Sequence, residues 1–161
     1  MANYSYMTIK GQTQGLISKG CSSEGSLGGK CQTEHLDEIM VLSLTHNMAN
    51  IGNLNQTTHR PLVITKNVDK ASPLLNKALA NREPINCKID FYRTSPAGAQ
   101  EKFYTIKISG GLIVDLTLDV PHAIFQNDAE PQEHMAILYR DIDWIHHPGD
   151  TTGGASWGNE Q

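Results

Sequence analysis

Charge is scarce in this sequence: Asp, Glu, Lys and Arg make up 19% of its 161 residues, below the quarter that is usual for a soluble domain. Thirteen basic against seventeen acidic residues leave a formal charge of −4. The chain therefore lacks the basic excess with which a protein displaces counterions from a phosphate backbone, and nucleic acid is not an expected partner. Cysteines number three, Cys21, Cys31 and Cys87. An odd count with no C-x-x-C pair speaks against a disulfide framework and against a structural zinc site. Cys87 falls on an apolar strand face and reads as inert core, while Cys21 and Cys31 flank a Gly/Ser-rich loop and would pair only after a later oxidation. No apolar run nears the roughly eighteen residues that cross a bilayer; the longest candidate, Ile39-Met40-Val41-Leu42-Ser43-Leu44, is strand-sized. Residues 1–10 lack a basic segment followed by an apolar one, so the expectation is cytoplasmic folding without a secretory signal, and no membrane insertion.

What fills the gap is uncharged polarity. Ser, Thr, Asn and Gln supply 41 of the 161 residues, a surface that interacts through hydrogen bonds and shape more than through charge. The length suits one domain with one core. Period-two alternation dominates the pattern. Ile85, Cys87, Ile89 and Phe91 alternate with Asn86, Lys88 and Asp90. Tyr104, Ile106 and Ile108 do the same, as do Leu112, Val114, Leu116, Leu118 and Val120. Gly110-Gly111 between the last two runs is either a tight hairpin or a bend within one long strand. Further strands are expected at 3–10, 38–47, 61–66 and 134–145. The run 39–44 is apolar on both faces, as in a central or interface strand. One helix is expected over about residues 72–82, with Ser72 as N-cap, Pro73 at the first helical position, and Leu74, Leu75, Ala78 and Leu79 as its apolar stripe. The fold class is mainly β: a compact antiparallel β-barrel or sandwich over residues 1–148 with one α-helix packed on its side, followed by a Gly/Thr-rich tail at 149–161.

Candidate catalytic patterns on this frame are few. Gly154-Ala155-Ser156-Trp157-Gly158 matches the G-x-S-x-G nucleophile elbow formally, but that motif needs a helix after it and an acid and a histidine further on. His122, His134, His146 and His147 gather in the last third; adjacent strand residues point to opposite faces, so His146 and His147 do not share an ion, and no metal site is expected. Asp141 and Asp143 share a strand face at roughly 7 Å, a glycosidase-like separation, beside the plainer reading of a solvated face. Asp115 and Asp119 read as the polar side of their strand. Asn3-Tyr4-Ser5 and Asn55-Gln56-Thr57 match the glycosylation sequon, which a chain without a secretory signal does not use. No P-loop or dinucleotide fingerprint occurs, so neither a catalytic residue nor a cofactor is expected. A carboxylate-dependent hydrolase and a monomeric β-barrel ligand-binding module are the alternatives to the reading that follows.

Several separated segments carry a resemblance. They are Tyr6 to Gly11, Gln14 to Ser18, Gly20 to Ser22, Gln32 to Leu44 with His46, Asp69 to Leu75, Phe91 to Ser95, and Gly98 with Glu101 to Ile106. Ile113 to Asp115, Pro121-His122, and Tyr139 to Ile142 with Trp144 complete the set. In this order the chain resembles the Hcp family, the haemolysin-coregulated proteins of the bacterial type VI secretion system, and its enterobacterial branch in particular. The resemblance implies a structural, non-enzymatic subunit. It would form homohexameric rings that stack into an expelled inner tube, carry small effector proteins in the channel, and work with sheath and baseplate components and a VgrG spike. It also implies cytoplasmic assembly followed by secretion without a signal peptide. Some relatives carry a fused toxin domain where this sequence has its thirteen-residue tail, so no toxin activity is expected. Such assembly needs two unlike contact surfaces per subunit. Ile39, Val41 and Leu44 on the two-faced run are the candidates for one, and Asn50, Asn53, Asn55 and His59 in the polar loop 47–60 are candidates for reaching a neighbouring ring.

Overall fold

The computed structural model describes residues 4–30, 33–52 and 55–157. Its strands, in chain order, are β1 (Ser5–Gly11), β2 (Gly15–Leu16), β3 (Ile39–Thr45), β4 (Met48–Asn50), β5 (Thr57–His59), β6 (Leu62–Asn67), β7 (Ile85–Thr94), β8 (Gln100–Asp119), β9 (Gln132–Leu138), β10 (Asp141–His146) and β11 (Thr151–Ser156). Two α-helices, α1 (Glu24–Leu27) and α2 (Ser72–Ala80), complete the regular structure with two short 3-10 turns. The antiparallel pairings β1–β3, β3–β6, β6–β9, β9–β8, β8–β7 and β7–β1 close on themselves. The result is an antiparallel barrel, as expected, with the hairpin β10–β11 added to the outer edge of β8.

Alternation explains why the barrel closes around these side chains. Met7 and Ile9, Ile39 and Val41, Leu62 and Ile64, Ile85, Cys87 and Ile89, Ile106 and Ile108, and Met135 and Ile137 all point inward and are buried. Successive inward positions are two residues apart, as a pleated strand requires. α2 packs against β8 and buries Leu75 and Ala78, leaving Leu74 largely exposed.

The pair Gly110-Gly111 is a bend inside one strand, not a hairpin. Gly110 has φ +62°, in the left-handed region that disfavours side chains, and a Cβ at Gly111 would meet the Ile85 carbonyl oxygen at 3.0 Å. The bend lets the first half of β8 pair with β7 and β10 while its second half pairs with β9. The expected strand 134–145 breaks in two at the same level, where the Arg140 N–H donates to the carbonyls of Ser109 and Gly110, each at 3.2 Å. A register shift between Ile113 and Asp115 also breaks the apolar face expected over 112–120: of that face, Leu116 packs against the core, opposite Met135. Ile113 goes into the core, and Val114, Leu118 and Val120 are exposed.

Two further expectations are corrected. Ser72 is not the N-cap: the position before the helix is Ala71, whose N–H is held at 2.9 Å by Asp69 Oδ1, and the Ser72 hydroxyl turns into a buried ionic cluster. Residues 151–156, expected to be part of a tail, form a strand. β11 pairs with β10 from His146↔Thr151 to Asp141↔Ser156, and the Trp157 N–H then donates to the Arg140 carbonyl at 2.7 Å. The glycines that make this stretch look disordered lie beside β10 side chains, Gly153 against the Trp144 ring and Gly154 against the Asp143 carboxylate.

Candidate assembly surface

The two-faced apolar run that suggested an interface is satisfied within the chain. Ile39 and Val41 are 0% and 2% exposed and belong to the barrel core, so they offer no surface to a neighbour. Met40, which points the other way, is 5% exposed. It pairs in register with Tyr6, whose ring stacks on His35 at 3.8 Å between centroids. The residues just before β3 are tied to Ser22, whose N–H donates to the Leu36 carbonyl at 3.1 Å and whose hydroxyl donates to the Glu38 carbonyl at 2.6 Å. Leu44 is half-buried and packs against the core. Cys21 is also buried here, and burial pushes its thiol to about 12, a protonated and unreactive form at neutral pH. Its proposed partner Cys31 lies outside the described residues.

The polar loop 47–60 contains a short hairpin. β4 and β5 pair from Met48↔His59 to Asn50↔Thr57, and the Thr57 hydroxyl donates to Asn50 Oδ1 at 2.8 Å. Asn50 and Asn55 are exposed, whereas His59 is buried; Asn53 lies outside the described residues. His59 works at the base. Its Nδ1 lies 2.7 Å from the Tyr139 hydroxyl, and His46 Nε2 lies 2.6 Å from the same oxygen. Trp157 stacks near-parallel on His59 at 6.0 Å between centroids. Burial holds both imidazoles below their ordinary value and pushes the Tyr139 phenol to about 12.

A buried ionic cluster fixes the opposite part of β6. Lys66, 0% exposed, donates to Glu133 Oε1 at 2.7 Å and to Ser72 Oγ at 3.1 Å, and lies 3.1 Å from Asp69 Oδ1. The Ser72 hydroxyl donates to the same Glu133 oxygen. These bonds join β6, β9 and the start of α2. The signal was present in the sequence: in Leu62-x-Ile64-x-Lys66 a lysine occupies the third inward position of an alternating strand.

Two surfaces are open. β11 ends the sheet and has no strand on its outer side among the described residues. At the end of β8, Leu118 and then Val120 lead to Ile124 and Phe125, 76% and 83% exposed. The turn that presents the last two is built: His122 Nδ1 accepts the N–H groups of both, each at 3.2 Å.

The catalytic alternatives find other employment. The Ser156 hydroxyl donates to Asp141, and this bond, followed by that of Arg140, holds the Asp141 carboxyl below its usual range. Ser156 lies at the end of β11, opposite Asp141; Gly158, the last residue of the elbow motif, lies outside the described residues. His134 bonds Thr65 at 3.0 Å, His146 accepts the Gly149 N–H at 3.0 Å and His147 bonds Thr105 at 2.7 Å.

The family model for the type VI secretion system effector Hcp matches residues 6–146, most of the barrel and all of β10. The chain belongs to the Hcp family. The major exported protein of Pseudomonas aeruginosa is 38% identical, over 98% of this chain and 96% of its own length. The crystal structure of an Hcp protein superposes with TM-score 0.93 at 30% identity, covering 99% of this chain and 100% of that one. The secreted protein Hcp3 from Pseudomonas aeruginosa gives TM-score 0.85 at 38% identity over 97% and 99% of the two chains. As an Hcp protein the chain is a tube subunit of the type VI secretion system, and its family is structural and secreted.

Proposed function

We propose that this chain closes head to tail into homohexameric rings that stack into the inner tube expelled through the secretion system. The rings carry small effector proteins in their channel. The subunit assembles in the cytoplasm, leaves without a signal peptide, engages sheath, baseplate and VgrG spike components, and catalyses no reaction. Family membership over residues 6–146 carries the reading. Physical support comes from the distribution of unlike surfaces. An open strand edge at β11, an exposed apolar end at Leu118 to Phe125 and a projecting hairpin at β4–β5 are separate features of one subunit. Different patches are what a heterologous contact needs in order to close a ring and then repeat along an axis. The small charge per chain limits the repulsion that many stacked copies accumulate.

Sedimentation and negative-stain microscopy of the purified chain test this. Rings of about six subunits with an open centre are the expected result, and Asn50→Asp combined with Asn55→Asp should leave the rings intact while shortening stacks. A monomer at all concentrations contradicts the reading. Intact stacks in the double variant remove the hairpin from it.

A further inference from the structure

The β4–β5 hairpin is attached to the barrel at its base. The Arg60 N–H donates to the Asn47 carbonyl at 3.0 Å, and below this bond His46 and His59 converge from both ends of the segment on one Tyr139 hydroxyl, at 2.6 and 2.7 Å. A phenol has one proton. It therefore donates to one imidazole and accepts an N–H from the other, and both bonds form when both rings are neutral. A first proton can be taken on the far nitrogen of the donor ring without breaking either bond. A second proton puts N–H groups on both nitrogens facing the oxygen, turns the phenolic proton away from both, and sets two like charges around one buried atom.

The geometry points to a proton-operated latch: His46 and His59, joined through Tyr139, hold the hairpin on the β9–β10 corner while neutral and release it when both are protonated. Among the described residues, no carboxylate is hydrogen-bonded to either imidazole; their shared partner is the Tyr139 hydroxyl. On the β9–β10 corner Arg140 is bonded to Asp141, at 2.9 Å. On β10 Trp144 faces His46 while Asp143 lies on the other face of the strand. At the end of β11 the neighbour is Trp157, and Arg60 beside His59 is exposed and of the same sign. The charge that acts on His46 is His59 itself. Because burial depresses both rings in the closed form, the open form takes up protons at higher pH. Closure is complete above about pH 6.5 and weakens as pH falls below it. If the hairpin is a stacking contact, which rests on the function proposed above, mildly acidic conditions also loosen the tube.

Hydrogen exchange of the full chain tests the latch, read as protection of 48–50 and 57–59 relative to β7 and corrected for slower intrinsic exchange in acid. Protection should fall by about tenfold per pH unit below pH 6 for one coupled proton and by up to about a hundredfold for two. Trp157 and Trp144 fluorescence should change over the same range. Tyr139→Phe should leave the hairpin weakly protected at every pH, and the His46→Gln, His59→Gln double variant should abolish the pH dependence while β7 stays protected. Unchanged wild-type protection down to pH 5, or the same loss in the double variant, overturns the latch. Hairpin opening without any loss of stacking supports the latch and contradicts only the stacking role.

Discussion

Lys66→Met is expected to destabilise the fold by about 3–5 kcal/mol, the range for removing one partner of a buried ion pair. At about 2–4 °C per kcal/mol for a domain of this size, the melting temperature should fall by roughly 6–20 °C. The cause is electrostatic. Asp69 and Glu133 are nearly as inaccessible as Lys66, at 8% and 3% exposure, and without the ammonium group they remain as two buried carboxylates that repel each other. Burial already pushes the Asp69 carboxyl above its ordinary value, with Lys66 opposing the shift. In the variant the opposition is gone and the folded state binds protons more readily than the unfolded one. Stability should therefore rise as pH is lowered through the carboxylate range, the reverse of ordinary acid denaturation. Thermal melts at several pH values read both effects. Loss of the half-exposed Arg93–Glu101 pair, 2.8 Å apart, should cost less than about 1 kcal/mol.

The second large effect is expected at the barrel centre. Ile89 is 0% exposed, and it lies opposite Met7 on β1 and Ile106 on β8. Ile89→Ala removes three carbons from a wall whose backbone is fixed on both sides, so the cavity cannot collapse, and a loss of about 2–5 kcal/mol follows. Leu118→Ala, at 59% exposure, should stay within about 0.5 kcal/mol. Denaturant titration of the two variants checks the contrast, since both residues belong to alternating apolar runs and only the structure separates them.

That contrast shows where sequence pattern carries and where it stops. Residues 85–91 were legible because one face is buried and one is not, and α2 was legible because its stripe and Pro73 agree. Residues 112–120 misled because the bulge puts Ile113 into the core in place of Val114, and because only Leu116 of the expected face then packs against the core while Leu118 and Val120 at the strand end are exposed. The run 39–44 misled because apolar side chains on both faces signal burial without naming what buries them; here Ile39 and Val41 line the barrel core, and Met40 on the other face lies beside Tyr6, on which His35 stacks. The strand at 151–156 was hidden by glycines that serve as close neighbours of Trp144 and Asp143. His59 reads as a surface contact in its polar loop, but its place is at the hairpin base, and the Tyr139 that holds it there lies eighty residues away. Such convergence has no local signature.

Release into the medium is the most direct test of the central claim that this chain is an expelled tube subunit. In a strain with an active contractile secretion system the chain should accumulate outside the cells. It should be retained, at an unchanged cellular level, when sheath contraction is blocked. Equal release with and without contraction would contradict the account.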